Sequence, residues 1–172
     1  GLSMGGIVAM EIIRQAPERV TRLALMDTNP RAEEDTVKIT RQPQIDAVRA
    51  GQLEPLLRET MLPRYFATPE AHSQFDQLCV DMALSQGEDV FVRQSLALKS
   101  RCDQRETLAR FDKPCLVVMG EADEICPLEQ HECMVTLLSN VAFVKIHNAA
   151  HIPTLEQPAA TSAALRQWMV QK

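Results

Sequence analysis

Gly1-Leu2-Ser3-Met4-Gly5-Gly6-Ile7-Val8-Ala9-Met10 is a glycine-rich turn that runs without a break into an apolar helix. Small residues on both sides of Ser3 permit a strained strand-to-helix turn that holds a hydroxyl clear of the backbone. The first amides of the helix point back at the turn, which places the Met4 N–H to stabilise an oxyanion. Ile7, Ala9, Met10, Ile12 and Ile13 spread over most of the helix circumference, so burial on more than one side is expected. Pro17 ends the helix, because the residue before a proline is pushed out of the helical region.

Outward from this turn, Leu23 to Met26 is a short apolar run closed by Asp27-Thr28-Asn29-Pro30. A run of that length between turn residues predicts a strand buried on both faces. The same style returns after Pro114. Cys115 to Met119 predicts a second strand, followed by Gly120-Glu121-Ala122-Asp123, and Pro127 opens a helix through Leu137 and Leu138. Ala142 to Ile146 predicts a third strand, leading to His147-Asn148-Ala149-Ala150-His151, and a last helix runs from about Pro158 to Val170. Alternation of this kind predicts an α/β fold, a parallel sheet with helices on both faces.

Residues 31–110 differ: they are polar, helix-patterned and without a convincing strand. Pro43 should break or kink the first of these helices, and Gly51 should stop it. Thr68-Pro69-Glu70 is a start signal, with the hydroxyl as N-cap and proline in the first turn. That helix should end near Gly87; another follows through Val90, Leu96 and Leu98, and a short one from Asp103. The expected organisation is therefore a core at 1–30, a helical insertion at 31–110, and a return to the core at 111–172.

Three loops carry groups that can act together, each at the carboxyl end of a strand, where open α/β sheets display their chemistry. They bring Ser3, Asp123 and His151, in that order along the chain. His151 would take the serine proton as base, while Asp123 would fix the imidazole tautomer and stabilise the imidazolium. Asp27 also ends a strand and is the alternative acid; it otherwise reads as a turn former. Glu121 and Glu124 read as solvated. His147 and His151 have a metal-like spacing, but that spacing works only on a helix, and no metal is expected. His72 and His131 read as surface residues, and Trp168 as packing on the sheet.

GLSMGG, the G-x-x-D-x-x-x-P of Gly120 to Pro127, and AHIPTLEQP around His151 together resemble the α/β-hydrolase superfamily, nearest to its small bacterial esterases and lactonases. The resemblance covers nearly the whole chain. It implies a partial α/β-hydrolase sheet of parallel C-terminal strands flanked by helices, with residues 31–110 as a helical cap insertion. It also implies a Ser3–His151–Asp123 triad, no cofactor, and water as the acyl acceptor. The resemblance begins at the elbow glycine, so the chain is expected to lack the N-terminal part of the core domain, including the second oxyanion donor. Leu23–Met26 should then present an unpaired apolar edge, through which copies of the chain pair.

The implied reaction is cleavage of a small carboxylic ester or lactone through an acyl-enzyme on Ser3. Carbon–carbon bond hydrolysis on the same fold and a truncated, inactive fragment are the alternatives. Met61, Phe66, Phe75 and Met82 are candidates to line an acyl pocket, although each also reads as ordinary core.

Composition narrows the field. The 172 residues are 45% hydrophobic and 24% charged, which fits a soluble globular domain. Eighteen Lys and Arg against 23 Asp and Glu give a net charge of −5, and aromatics are 4%, which argues against a nucleic-acid partner. No apolar run is long enough to span a bilayer, and no signal peptide is visible. Five cysteines at scattered spacings predict reduced, mostly buried thiols, and so a cytoplasmic protein.

Overall fold

The computed structural model describes residues 1–170. The strands are β1 (Leu23–Met26), β2 (Cys115–Gly120) and β3 (Val141–Ile146). The α-helices are α1 (Met4–Gln15), α2 (Asp35–Arg49), α3 (Leu53–Leu56), α4 (Pro69–Gln86), α5 (Glu88–Lys99), α6 (Arg105–Arg110), α7 (Leu128–Leu137), α8 (Pro153–Glu156) and α9 (Pro158–Met169). The chain divides into two compact units. The first holds Gly1–Arg31, Tyr65–Ala67 and the residues from Asp103 onward; the second holds Ala32–Arg64 and Thr68–Cys102.

In the first unit the strands form one parallel sheet, ordered β1-β2-β3, with Leu23 opposite Cys115 and Cys115 opposite Val141. Successive side chains of a strand point to opposite faces, and β2 buries all of them. Cys115 and Val117 join Met10 and Ile13 of α1, Leu108 of α6 and Met134 of α7. Leu116 and Val118 face the other way, with Met26, Ile146 and Ala149, and Leu165 and Trp168 of α9 pack on that layer. The expected strands and the packing of Trp168 are thus as the residue pattern implies.

Four expectations need correction here. α6 was expected within the helical insertion, but Leu108 and Phe111 belong to the core under α1, so residues 103–110 lie with the sheet. α1 buries Gly6, Met10 and Ile13, whereas Val8 and Ile12 are about half exposed at 47% and 48%, so among the described residues only one side of it is covered. The outer edge of β1 is not bare. Gly1 N donates to Ala24 O (2.7 Å), Met26 N to Gly1 O (2.9 Å) and Ser3 N to Met26 O (2.9 Å), so the Gly1–Ser3 stretch covers that edge. Finally, none of the five cysteines is in a disulfide, but only Cys115 and Cys126 are buried, and Cys102 is exposed.

The C-terminal ends of β2 and β3 turn close against each other. Glu121 N donates to Ile146 O (3.0 Å) and Ala122 N to Ala149 O (2.9 Å). A Cβ on Gly120 would stand 1.9 Å from Ala150 O and 2.8 Å from Ala149 O, both backbone atoms that cannot swing away. Gly120→Ala is therefore expected to cost about 3 kcal/mol, the upper end of overpacking penalties. A urea midpoint that falls with no change in slope checks it.

The second unit is helical. Val48, Leu53 and Leu57 form its core, with Met61, Ala83, Phe91 and Val92 packed around them. α2 ends as Gly51 predicts: at φ +81° its N–H bonds Val48 O while Gln52 N bonds Ala47 O, a Schellman closure. Thr68 caps α4 by accepting from Ala71 N at 3.2 Å. Pro43, by contrast, does not break α2, which runs through it. Pro43 is exposed, Ile45 and Val48 just beyond it are fully buried, and buried Glu33 pairs with Arg41 and Arg101. Packing on that side holds the helix across the missing N–H. Among the described residues no helix is long and apolar enough to cross a membrane.

Candidate active site

Ser3 sits between the short stretch beside β1 and the start of α1, at φ 49° and ψ −118°. A non-glycine residue at positive φ is strained and persists only where its surroundings over-determine it. They do so here. Ser3 N is held by Met26 O, and Ser3 O accepts from Gly6 N (2.9 Å), Ile7 N (3.3 Å) and Thr28 Oγ1 (2.8 Å). Gly1 is needed for the turn, because a Cβ there would stand 2.2 Å from Gly5 O; one on Gly5 would meet nothing within 4 Å. Met4 is the first residue of α1, where a helix has amides without an intrahelical acceptor.

Asp123 and His151 follow β2 and β3. His151 Nε2 lies 2.8 Å from Ser3 Oγ, and His151 Nδ1 lies 3.0 Å from Asp123 Oδ2. Asp123 Oδ1 accepts from Ile125 N (2.8 Å) and Cys126 N (3.1 Å). Both residues are nearly buried, Asp123 at 4% and His151 at 5% exposure. With a carboxylate on Nδ1, that nitrogen carries the proton and Nε2 is left to accept from the serine hydroxyl. Burial pushes the Asp123 carboxyl up, but the hydrogen bond and charge of His151 and the Cys126 and Ile125 N–H groups hold it below its ordinary value. The three residues singled out by their loops are thus brought together.

Asp27 is fully buried at the end of β1, at φ 44°, and accepts from Gly120 N at 2.8 Å. It is not the partner of His151 Nδ1. His131, expected on the surface, is fully buried; its Nδ1 lies 3.3 Å from Pro127 O and its ring stacks on Phe143, with centroids 6.5 Å apart. Burial lowers its pKa. His147 is exposed and pairs with Glu121 at 2.7 Å.

No sequence signal marks Tyr65, and Glu156 stands out only as part of AHIPTLEQP with no role given to it, yet both buttress the histidine loop. Tyr65 O accepts from His151 N (3.1 Å), and the two rings lie 6.1 Å apart. Glu156 holds Ala150 N and Ala67 N, each at 2.6 Å. Among the pocket candidates, Phe66 is buried edge-on to Tyr65, Met61 packs in the core of the helical unit, Phe75 is half-buried and Met82 is 60% exposed.

Among the described residues, two trios bring metal-ligating atoms within 4.8 Å of one another: Asp123 with Cys126 and His151, and Asp27 with Asp123 and His131. Both draw on Asp123, whose oxygens already accept from Ile125, Cys126 and His151. A cation there would compete with the bond that orients His151.

The sequence model of the alpha/beta hydrolase family matches residues 1–164. The pimeloyl-[acyl-carrier protein] methyl ester esterase of Neisseria meningitidis is 27% identical over 98% of this chain and 67% of its own length. A thermophilic esterase from Thermogutta terrifontis superposes with a TM-score of 0.92 at 32% identity, over 98% of this chain and 62% of its own. The enol-lactonase of Burkholderia xenovorans shares the fold, with a TM-score of 0.79 at 22% identity, over 99% of this chain and 64% of its own. The chain thus spans about two thirds of the length of these relatives. A parallel sheet that displays a strained serine, an aspartate and a histidine at its strand ends, and a family match along nearly all of it, place this chain in the alpha/beta hydrolase family.

Proposed function

We propose that this chain carries the reacting groups of a serine hydrolase that cleaves a small carboxylic ester or lactone. The observation that carries the reading is the continuous line of hydrogen bonds from Ser3 Oγ through His151 to Asp123, 2.8 Å and 3.0 Å, on a strained turn. The esterases among the relatives support the same class of substrate.

In this reading His151 Nε2 takes the Ser3 proton as Oγ attacks the ester carbonyl. The Met4 N–H faces the oxygen on which negative charge develops, at the positive end of α1. His151 then returns its proton to the leaving alcohol, and the acyl group remains on Ser3. Water, deprotonated by the same nitrogen, releases the acid and regenerates the serine. Asp123 stays ionised throughout and holds Nδ1–H. We assign the helical residues of the second unit the part of the cap, and a reducing, cytoplasmic setting suits cysteines that form no disulfide.

Stopped-flow hydrolysis of short p-nitrophenyl esters tests this. The expected result is a burst of nitrophenol approaching one equivalent per chain, with later turnover blocked by a fluorophosphonate. No burst and no turnover on esters or lactones would overturn the reading. Turnover of a diketone-type substrate alone would replace it with carbon–carbon bond hydrolysis.

A further inference from the structure

We propose that Asp27 is a positioning residue for this reaction: as a neutral carboxylic acid it donates a hydrogen bond through Oδ2 to Asp123, and so fixes the carboxylate that orients His151. The proposal rests on the roles given above to Ser3, His151 and Asp123.

Asp27 has no exposed surface. Its Oδ1 is occupied by the Gly120 N–H, but its Oδ2 is buried and meets no donor. One oxygen of Asp27, one of Asp123 and a ring nitrogen of His131 lie within 4.8 Å of one another. Two buried carboxylates at that separation cannot both ionise cheaply, and a bare, desolvated oxygen makes the charged form worse. The ionisable groups placed near Asp27 among the described residues do not relieve this. The β2 turn brings Asp123 and α8 brings the Glu156 carboxylate, and His151 of the β3 turn is committed to Asp123 and Ser3. α7 brings His131, whose Nδ1 faces Pro127 O; that nitrogen carries the proton, and Nε2, also buried without a partner, is an acceptor. The donor missing from the cluster is a proton on Asp27 itself. Burial, then the negative charges of Asp123 and Glu156, push this carboxyl well above the usual range despite the Gly120 N–H.

The receiving side has room for one such bond. A carboxylate offers about four lone-pair sites. On Asp123, Ile125 N and Cys126 N take Oδ1, and His151 Nδ1 takes one site of Oδ2. An Oδ2–H from Asp27 completes the set without competing with His151. A buried acid held neutral so that it can donate is an established device of active sites.

The test compares Asp27→Asn with Asp27→Leu. Asparagine keeps an oxygen for Gly120 N–H and puts an N–H where the acid has its O–H. Asp27→Asn is therefore expected to retain kcat to within about threefold, whereas Asp27→Leu lowers kcat about 10- to 100-fold with little change in KM. Two readouts need no activity. Asp27 binds its proton more tightly folded than unfolded, so its contribution to stability is complete below the unfolded pKa and is lost as pH rises toward the folded one. Asparagine has no such loss. Asp27→Asn should thus melt above wild type, by a margin that widens from about pH 4 to about pH 8. In the infrared, wild type should show the carbonyl band of a protonated carboxylic acid at neutral pH, shifted in D2O and missing from Asp27→Asn. Loss of kcat in Asp27→Asn equal to that in Asp27→Leu would overturn the proposal, as would absence of the band or a lowered melting point. If wild type neither hydrolyses esters nor labels at Ser3, the reading of the site fails and the positioning role with it. The band and the melting curves would still report where the proton sits.

Discussion

Ser3→Ala is expected to lower kcat for ester hydrolysis by about 10⁴- to 10⁶-fold while leaving the melting temperature within a few degrees of wild type. The two halves of that result have separate causes. The backbone bonds that fix the turn, to Met26 O and from Gly6 N, Ile7 N and Thr28 Oγ1, do not involve the serine hydroxyl. Alanine at φ 49° is strained as serine is, so the fold loses little. What disappears is the hydroxyl oxygen that lies 2.8 Å from His151 Nε2 and acts as the nucleophile in this account. The residual rate reflects binding and the amides at the start of α1. Steady-state kinetics beside thermal melts decide it. Retention of more than about a tenth of kcat would mean that some other group is the nucleophile.

Asp123→Asn should cost about 10⁴-fold in kcat, with KM much less affected. Ile125 N and Cys126 N both donate to Oδ1, which must therefore stay an oxygen. The new NH2 then replaces Oδ2 and faces His151 Nδ1 with a donor instead of an acceptor. Imidazole answers by moving its proton to Nε2, the nitrogen that must be bare to accept from Ser3. A loss no larger than about tenfold would place the acid elsewhere, and Asp27 would be the residue to examine.

Much of this site is legible in one dimension for a physical reason. Ser3 is held against the end of β1, and Asp123 and His151 lie in the turns that follow β2 and β3; a parallel sheet gathers its strand ends on one edge, so chain order and local setting suffice to bring them together. The strands are legible because Leu23–Met26 and Cys115–Gly120 are short apolar runs between turn residues, buried on both faces. Where backbone atoms make the contact, residue type carries no mark. Tyr65 supports His151 through its carbonyl oxygen, and Glu156 acts on the amides of Ala67 and Ala150. His131 sits among Gln130, Glu132 and Cys133 and so reads as exposed. Its spacing of three residues to Met134 on the buried side of α7 was the available signal, and long-range packing against Phe143 decides its place. Pro43 stays helical for the same kind of reason, because buried neighbours outweigh a local propensity.

Intact-mass spectrometry before and after a fluorophosphonate, on wild type and Ser3→Ala side by side, tests the central claim most directly. One adduct per chain on wild type and none on Ser3→Ala is the expected result, since only a serine activated by a neighbouring base reacts readily with such a probe. A wild type that takes no adduct, or a Ser3→Ala variant labelled as well as wild type, would contradict the assignment of Ser3 as the nucleophile.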